Sequence, residues 1–235
     1  MCIPEDYMLL PFEELPKEFQ NDAVKKYYDI LKNKKSSLIA KRALDIIVCI
    51  FLLIFLILPI IILALLVKFT SRGPILYKQV RVTTYNREFS IYKFRTMVVD
   101  ADKIGTLVTS AGDPRITGIG RFLRKYRLDE IPQIFNVLKG DMSIVGTRPE
   151  VPRYVHNYSP QMYATLLMPA GITSLASIKF KNEDRMLELS NNVDEDYVSI
   201  ILPKKMHYNL LYIKTFNFRT DLYLMFKTIS EVLFH

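Results

Sequence analysis

The chain has 235 residues, half of them hydrophobic, with a formal net charge of +8 and a pI near 9.3. This length allows one sizeable domain with additions, and the basicity favours polyanions: nucleic acid, an anionic membrane face or phosphorylated substrates. Two cysteines (Cys2, Cys49) and three scattered histidines (His156, His207, His235) exclude a disulfide framework and a thiolate or imidazole metal site.

Residues 1–40 start acidic and lack an apolar core, so no secretory signal is expected there. They read as a proline-broken lead and a short charged helix ending in a basic run, Lys32, Lys34 and Lys35. That run is either a solvated tail or a contact for anionic lipid. Residues 46–67, IIVCIFLLIFLILPIIILALLV, then carry no charge. At about 1.5 Å per residue they just span a hydrocarbon core. Lys41 and Arg42 precede the run and Lys68 and Arg72 follow it, so the positive-inside rule selects no orientation. Pro59, beyond the middle, removes one backbone hydrogen bond. Two anchors fit: a helix that enters, breaks and returns to the same face, and a kinked single span. Asp45 lies within one turn of Lys41 and Arg42, where an ion pair would ease its burial near the interface.

After Gly73-Pro74, residues 75–82 and 87–94 predict a β-hairpin. Lys93 and Arg95 at its end serve either a solvated edge or phosphate binding. Residues 98–112 form a polar loop. In residues 113–150, Ile116, Ile119, Phe122, Leu123 and Tyr126 recur at helical spacing, with Arg121, Arg124 and Lys125 largely elsewhere on the wheel. A second helix carries Ile131, Ile134, Phe135 and Leu138 in one stripe, with Pro132 in its first turn and Gly140 at its stop. Asp129 is the expected N-cap, with Glu130 beside it. A helix start favours an anion, Arg148 follows in the next loop, and Asp141 stands near in sequence. Asp129 is thus either a plain cap or a carboxylate nucleophile beside an arginine-clamped phosphate. Residues 151–178 read as packed loops and 183–199 as an acidic, solvated helical insertion. Leu222, Met225, Phe226, Ile229 and Leu233 form a last stripe, for the core or the membrane interface.

There is no Gly-rich phosphate loop with Lys-Ser/Thr, no His-Glu-x-x-His and no Gly-x-Ser-x-Gly. Nucleic-acid binding would account for the charge but not for the apolar run or the acid pair. A membrane-tethered adaptor explains the anchor and the basic surface, and leaves the acid pair without a role.

KRALD at 41–45, GPILYKQVRV at 73–82, YKFRTM at 92–97 and the block ending RLDEIPQIFNVLKGDMSIVGTRPE at 150 resemble the bacterial sugar transferase family, the monotopic polyprenyl-phosphate phosphoglycosyltransferases. The resemblance runs from about residue 40 to the C-terminus. It implies transfer of a sugar 1-phosphate from a nucleotide sugar, a UDP-sugar, to undecaprenyl phosphate with release of UMP. It implies Asp129 as nucleophile, Glu130 as a Mg²⁺ ligand, and Lys93, Arg95, Arg124, Asp141 and Arg148 about the substrate phosphates. Its anchor is a re-entrant helix-break-helix, here with Lys41, Arg42, Asp45 and Pro59. The expected architecture is α+β: an extension at 1–40, the membrane helix at 41–72, and a compact, mostly helical cytosolic catalytic domain at 73–235 with a small hairpin and interfacial amphipathic helices. The expected setting is the cytoplasmic face of a bacterial inner membrane, bound to the lipid bilayer, without nucleic acid and open to homo-oligomerisation. Two segments depart from the family pattern. Pro-Arg-Pro is Thr147-Arg148-Pro149 here, and Pro-Gly-Ile-Thr-Gly is Pro169-Ala170-Gly171-Ile172-Thr173-Ser174, with no following Gly-Arg-Asn.

Overall fold

In the computed structural model, which describes residues 9–101, 113–180 and 192–233, two 3-10 turns lead into α1 (Asp22–Lys32). Asn21 caps this helix, its side chain accepting from the Val24 amide at 3.0 Å. Leu15, Phe19, Val24, Tyr28 and Leu31 are buried in the same cluster as Val82, Tyr158, Ile201 and Met206. The segment read as an extension therefore forms part of the main core. Lys34, in the run expected to be solvated or to meet lipid, donates to the Phe216 carbonyl.

α2 (Lys35–Thr70) is a single helix with Pro59 inside it. The break expected there is not an interruption of secondary structure. Proline forfeits one backbone bond, while packing continues on both sides of it. Leu38, Arg42, Asp45, Cys49, Leu53, Leu56, Ile60, Leu63 and Val67 recur every three or four residues and turn toward the rest of the protein. This is the 3.6-residue period of one helix face. The other faces expose Ile47, Ile54, Phe55, Leu58, Ile62 and Phe69, an apolar surface far larger than a soluble helix leaves uncovered.

Near its start α2 buries three charges. Lys41 pairs with Asp221, whose other carboxylate oxygen accepts from Tyr212 Oη at 2.8 Å. Asp45, 4.0 Å from Lys41, accepts from Ser143 Oγ at 2.6 Å and the Ile144 amide at 3.2 Å. Arg42 donates to the carbonyls of Val137 and Leu138 at 2.6 and 3.2 Å. The Lys41–Asp45 pairing expected at a membrane interface thus lies inside the protein, part of a larger knot.

β1 (Leu76–Val82) and β2 (Glu88–Phe94) form the expected antiparallel hairpin, with Leu76 opposite Phe94 and Val82 opposite Glu88. The chain reverses at Tyr85 and Asn86, both left-handed. α3 (Gly118–Lys125) follows, capped by Thr117. α4 (Gln133–Lys139) ends at Gly140, whose φ of 96° is the left-handed stop that glycine supplies. Its buried face differs from the expected stripe: Phe135 is exposed and Asn136 is fully buried. Asn136 accepts from the Tyr92 amide at 3.0 Å and donates to the Ser90 carbonyl at 2.8 Å. It satisfies the free edge of β2 as a neighbouring strand would.

β3 (Met142–Val145) pairs in parallel with β4 (Ala170–Thr173), inside and beside the stretch read as packed loops. Four-residue strands are too short to display a period. α5 (Pro152–Val155), α6 (Leu175–Lys179), α7 (Val193–Asp196), a π-helical turn at Tyr197–Ile201, α8 (Leu202–Thr215) and α9 (Phe218–Leu233) complete a mixed helix-and-sheet, α+β fold. α9 buries Asp221 and Leu224, packs Met225 against the main core and exposes Phe226 and Ile229, so the last stripe is divided between core and surface. Cys2, His235, the loop at 102–112, most of the acidic insertion (181–191) and the Leu233 side chain lie outside the described residues.

Lys41→Met would leave Asp221 and Asp45 buried without their cation. Breaking a buried pair costs about 3–5 kcal/mol, which lowers the melting temperature of a protein this size by roughly 10 °C. A thermal melt in detergent measures this, and a shift below about 2 °C would show that the knot contributes little.

Candidate active site

The hairpin, α3, the Leu128–Glu130 turn, residues 148–151 and the π-helical turn enclose a cavity of about 970 Å³. The acid pair sits in its wall. Asp129 is not the N-cap expected of it. Arg127 is left-handed (φ 57°, ψ 20°), and the chain leaves it directly into a 3-10 turn, Leu128–Glu130. Pro132 occupies the N-cap position of α4. Asp129 is therefore released from capping and lines the cavity, 8% exposed.

Glu130 is held by two cations. Its Oε1 accepts from Lys93 Nζ at 2.9 Å and from Arg148 Nη2 at 2.6 Å, while Arg148 Nη1 stands 3.5 Å from Oε2. Burial pushes this carboxyl up, but Arg148 and Lys93 outweigh burial and hold it well below the usual carboxylate range. Asp129 goes the other way: burial and the adjacent Glu130 charge raise its carboxyl, against the pull of Lys93 and Arg124. Burial also lowers the Lys93 ammonium, partly offset by Glu130. Two neighbouring carboxyls pushed apart in this way are a recurrent mark of acid–base and nucleophilic sites.

Of the residues singled out in the sequence, Lys93, Arg124, Asp129, Glu130 and Arg148 meet around this cavity. Arg124 is steadied by its Nε, which donates to Thr96 Oγ1 at 2.9 Å. Arg95 also lines the cavity, yet its Nη2 is engaged at the end of α2, donating to Ser71 O and Ser71 Oγ, both at 2.7 Å. Asp141 is not brought to the acid pair; its charged neighbours are Arg87 at 3.2 Å and Lys139 at 3.6 Å.

A second polar cluster lines the cavity. Glu150 Oε1 accepts from Tyr197 Oη at 2.8 Å and Lys205 Nζ at 3.1 Å, and Lys205 also donates to Tyr197 Oη at 2.9 Å. Arg81 lines the same wall. Only Glu150, two residues past Arg148, carried any signal; no spacing links it to a lysine 55 positions on.

Among the described residues no three His, Cys, Asp or Glu side chains cluster as a metal cage. Magnesium does not need one. It binds through one or two carboxylates plus substrate phosphates and water, and Asp129 with Glu130 Oε2 offers that hard-oxygen set, so the residues fit such an ion.

Residues 36–235 match the family described as bacterial sugar transferase. The chain belongs to that family. Among similar proteins is the UDP-N-acetylgalactosamine-undecaprenyl-phosphate N-acetylgalactosaminephosphotransferase of Aeromonas hydrophila, 37% identical over 72% of this chain and 38% of its own length. The undecaprenyl-phosphate glucose phosphotransferase of Komagataeibacter xylinus is 36% identical over 84% of this chain and 36% of its own. An uncharacterized sugar transferase of Bacillus subtilis, EpsL, is 33% identical over 83% of this chain and 88% of its own. This bacterial sugar transferase chain thus spans well under half the length of the first two. Of its departures from the family pattern, Ser174 has a local structural role, capping α6 by accepting from the Ser177 amide at 2.9 Å, while Thr147 takes part in a backbone bridge to Ala170.

Arg148→Lys keeps the charge and loses the planar fork. One lost charge-assisted bond is worth about 1.5–3 kcal/mol, so the hold on Glu130 should loosen and the melting temperature fall by about 3–9 °C. An unchanged thermal melt would show that the contact with Glu130 does not depend on the fork.

Proposed function

We propose that this protein transfers a sugar 1-phosphate from a nucleoside-diphosphate sugar, a UDP-sugar, to undecaprenyl phosphate. The observation that carries this reading is Asp129: a buried carboxylate on a cavity wall, freed from capping, beside an ionised Glu130 and within the fields of Lys93 and Arg124. The names of the relatives support the lipid acceptor and the sugar-phosphate class of donor.

The chain's residues divide the work. Arg148 and Lys93 draw the donor diphosphate in and hold Glu130 charged. Asp129 attacks the phosphorus bearing the sugar. A P–O bond to its carboxylate forms as the P–O bond to the leaving phosphate breaks, and UMP departs with that electron pair. An oxygen of undecaprenyl phosphate then attacks the same phosphorus and releases Asp129. Mg²⁺, held through Glu130, would supply charge neutralisation on the diphosphate. An adaptor would have no use for a buried acid pair at a cavity.

The bilayer holds the protein through the exposed faces of α2. Both ends of this helix are fixed to one body: Lys41 and Arg42 to Asp221 and α4, Leu63 and Val67 to Phe94 and Leu123. That supports an anchor whose two flanks stay on one side, the cytoplasmic face of a bacterial inner membrane.

With UDP-sugar and Mg²⁺ but no lipid, the intact mass should rise by one sugar phosphate, on the peptide containing Asp129. A panel of UDP-sugars is needed, because the relatives are named for different sugars. Asp129→Asn should abolish the adduct and leave membrane association intact, and chelation should stop its formation. A fully active wild type that never forms the adduct, with kinetics requiring a ternary complex, would support direct transfer instead.

The pH profile gives an independent check. Asp129 works ionised, so activity falls as pH drops through its raised pKa. Glu130→Gln removes the neighbouring negative charge and leaves Lys93 to act on Asp129. The acid limb of kcat/KM should therefore move to lower pH even as kcat declines. A limb that stays or moves up would contradict the electrostatic coupling of the pair.

A further inference from the structure

One buried ion pair on the cavity wall takes no part in the two displacements. Glu150 is 5% exposed and lines the cavity with Arg81, Tyr197 and Lys205. Its Oε1 takes both donors, Tyr197 Oη and Lys205 Nζ. Its Oε2 accepts from none of the described residues. Burial pushes this carboxyl up, but Lys205 and Arg81 outweigh burial and hold it below the usual carboxylate range. An ionised oxygen at such depth is costly to leave without a hydrogen-bond donor.

The backbone is shaped to build this group. In a regular α-helix, residues eight positions apart lie about 80° apart around the axis. The π-helical turn that opens at Tyr197 takes in one extra residue, which brings Tyr197 and Lys205 to within about 20° of one line. Their tips meet at 2.9 Å, with the ammonium 5.1 Å from the centre of the Tyr197 ring. Pro203, two residues past the turn, supplies a local cause: it has no N–H for the Ser199 carbonyl, and its ring crowds that group. On the other side, the Glu150 carbonyl accepts from the Val82 amide at 2.9 Å, and Arg81 Nη1 donates to the Pro149 carbonyl at 3.2 Å. Residues 149 and 150 are thereby fixed to β1.

Arg148 joins this cluster to the acid pair. Burial lowers the Arg81 guanidinium, Glu150 opposes that, and the Arg148 charge adds to it. After burial, Arg148 acts in the same sense on Lys93 beside Glu130. One guanidinium therefore stands in the fields of both clusters. Pro149 favours an extended backbone at Arg148, and extended residues two apart face the same way, about 7 Å from each other. A group bound at Glu150 Oε2 is thus about one sugar ring away from a phosphate held by Arg148, nearer than a nucleobase would be. The carboxylate charge excludes a second phosphate there, and the neighbouring cations exclude another cation. What remains is a neutral O–H donor.

We propose that Glu150 Oε2 accepts a ring hydroxyl of the bound donor, with Tyr197 and Lys205 as positioning residues that fix the carboxylate. That the ligand is a nucleotide sugar rests on the proposed function; the inference adds which residue reads its hydroxyls. The hydroxyl belongs to the ribose or to the transferred sugar, each one ring from a phosphate of the diphosphate.

The full chain in nanodiscs is titrated by calorimetry with UDP-glucose, UDP-galactose, UDP-N-acetylglucosamine, UDP-N-acetylgalactosamine, UDP and 2′,3′-dideoxy-UDP. Wild type is compared with Glu150→Gln, which keeps the shape and removes the charge. Glu150→Gln/Lys205→Met, which leaves no unpaired lysine, serves should the single variant fold poorly. The preferred UDP-sugar should bind the variant about tenfold more weakly, from one charge-assisted bond lost. 2′,3′-dideoxy-UDP should bind it no more weakly than it binds wild type. If UDP loses as much as the UDP-sugar, the hydroxyl is that of the ribose; if UDP is not weakened, it is that of the transferred sugar. UDP-sugar binding that stays within about twofold of wild type overturns the proposal. So does an equal loss for 2′,3′-dideoxy-UDP, which would mean a general loss of structure. A wild type that binds a UDP-sugar with this dependence yet forms no Asp129 adduct would sink the covalent route and leave the Glu150 contact standing. A wild type that binds none of these nucleotides overturns both readings.

Discussion

A carboxylate as deeply placed as Glu130 would be neutral on its own, because removing a charge from water costs more than an isolated protein dipole returns. It is ionised because Lys93 comes from β2 and Arg148 from the loop after β3, and both reach one oxygen. A single charge thereby fixes three parts of the chain against each other: the hairpin, the 3-10 turn and the loop. Asp129 takes its position from that arrangement. Its raised carboxyl follows from standing next to a neighbour that does not give up its charge.

The same acid pair is supported from behind by α2. Arg42 closes the last turn of α4 by donating to Val137 and Leu138 carbonyls, groups a helix end leaves unsatisfied. α4 begins directly after the acid pair. Asn136, in its middle, completes the edge of β2, the strand that carries Lys93. Anchor, helix and strand thus form one polar framework, and its buried members are matched by specific partners, as burial of charge demands.

What was legible in the sequence were the features with a strong local signature. The apolar run of residues 46–67, the hairpin and the Gly140 stop each depend on neighbours in the chain. The acid pair and its arginines were legible as residues but not in geometry. The cap expected at Asp129 moved to Pro132 because Arg127 adopts a left-handed backbone that nothing in its side chain announces. Asp141 was placed with the pair on closeness in sequence, while the fold turns it toward Arg87 and Lys139. Glu150, Tyr197 and Lys205 were invisible because their contacts join distant segments. The short parallel pair β3–β4 and the N-terminal packing depend in the same way on tertiary partners.

The bond from Arg95 to Ser71 has a mechanical meaning. Arg95 sits two residues beyond Lys93 at the end of β2 and grips the point where α2 ends. The end of α2 and the strand that carries Lys93 thus share one fixed point. Another apolar helix of equal length would have to reproduce that point, so α2 is part of the frame of the site and not only an apolar rod.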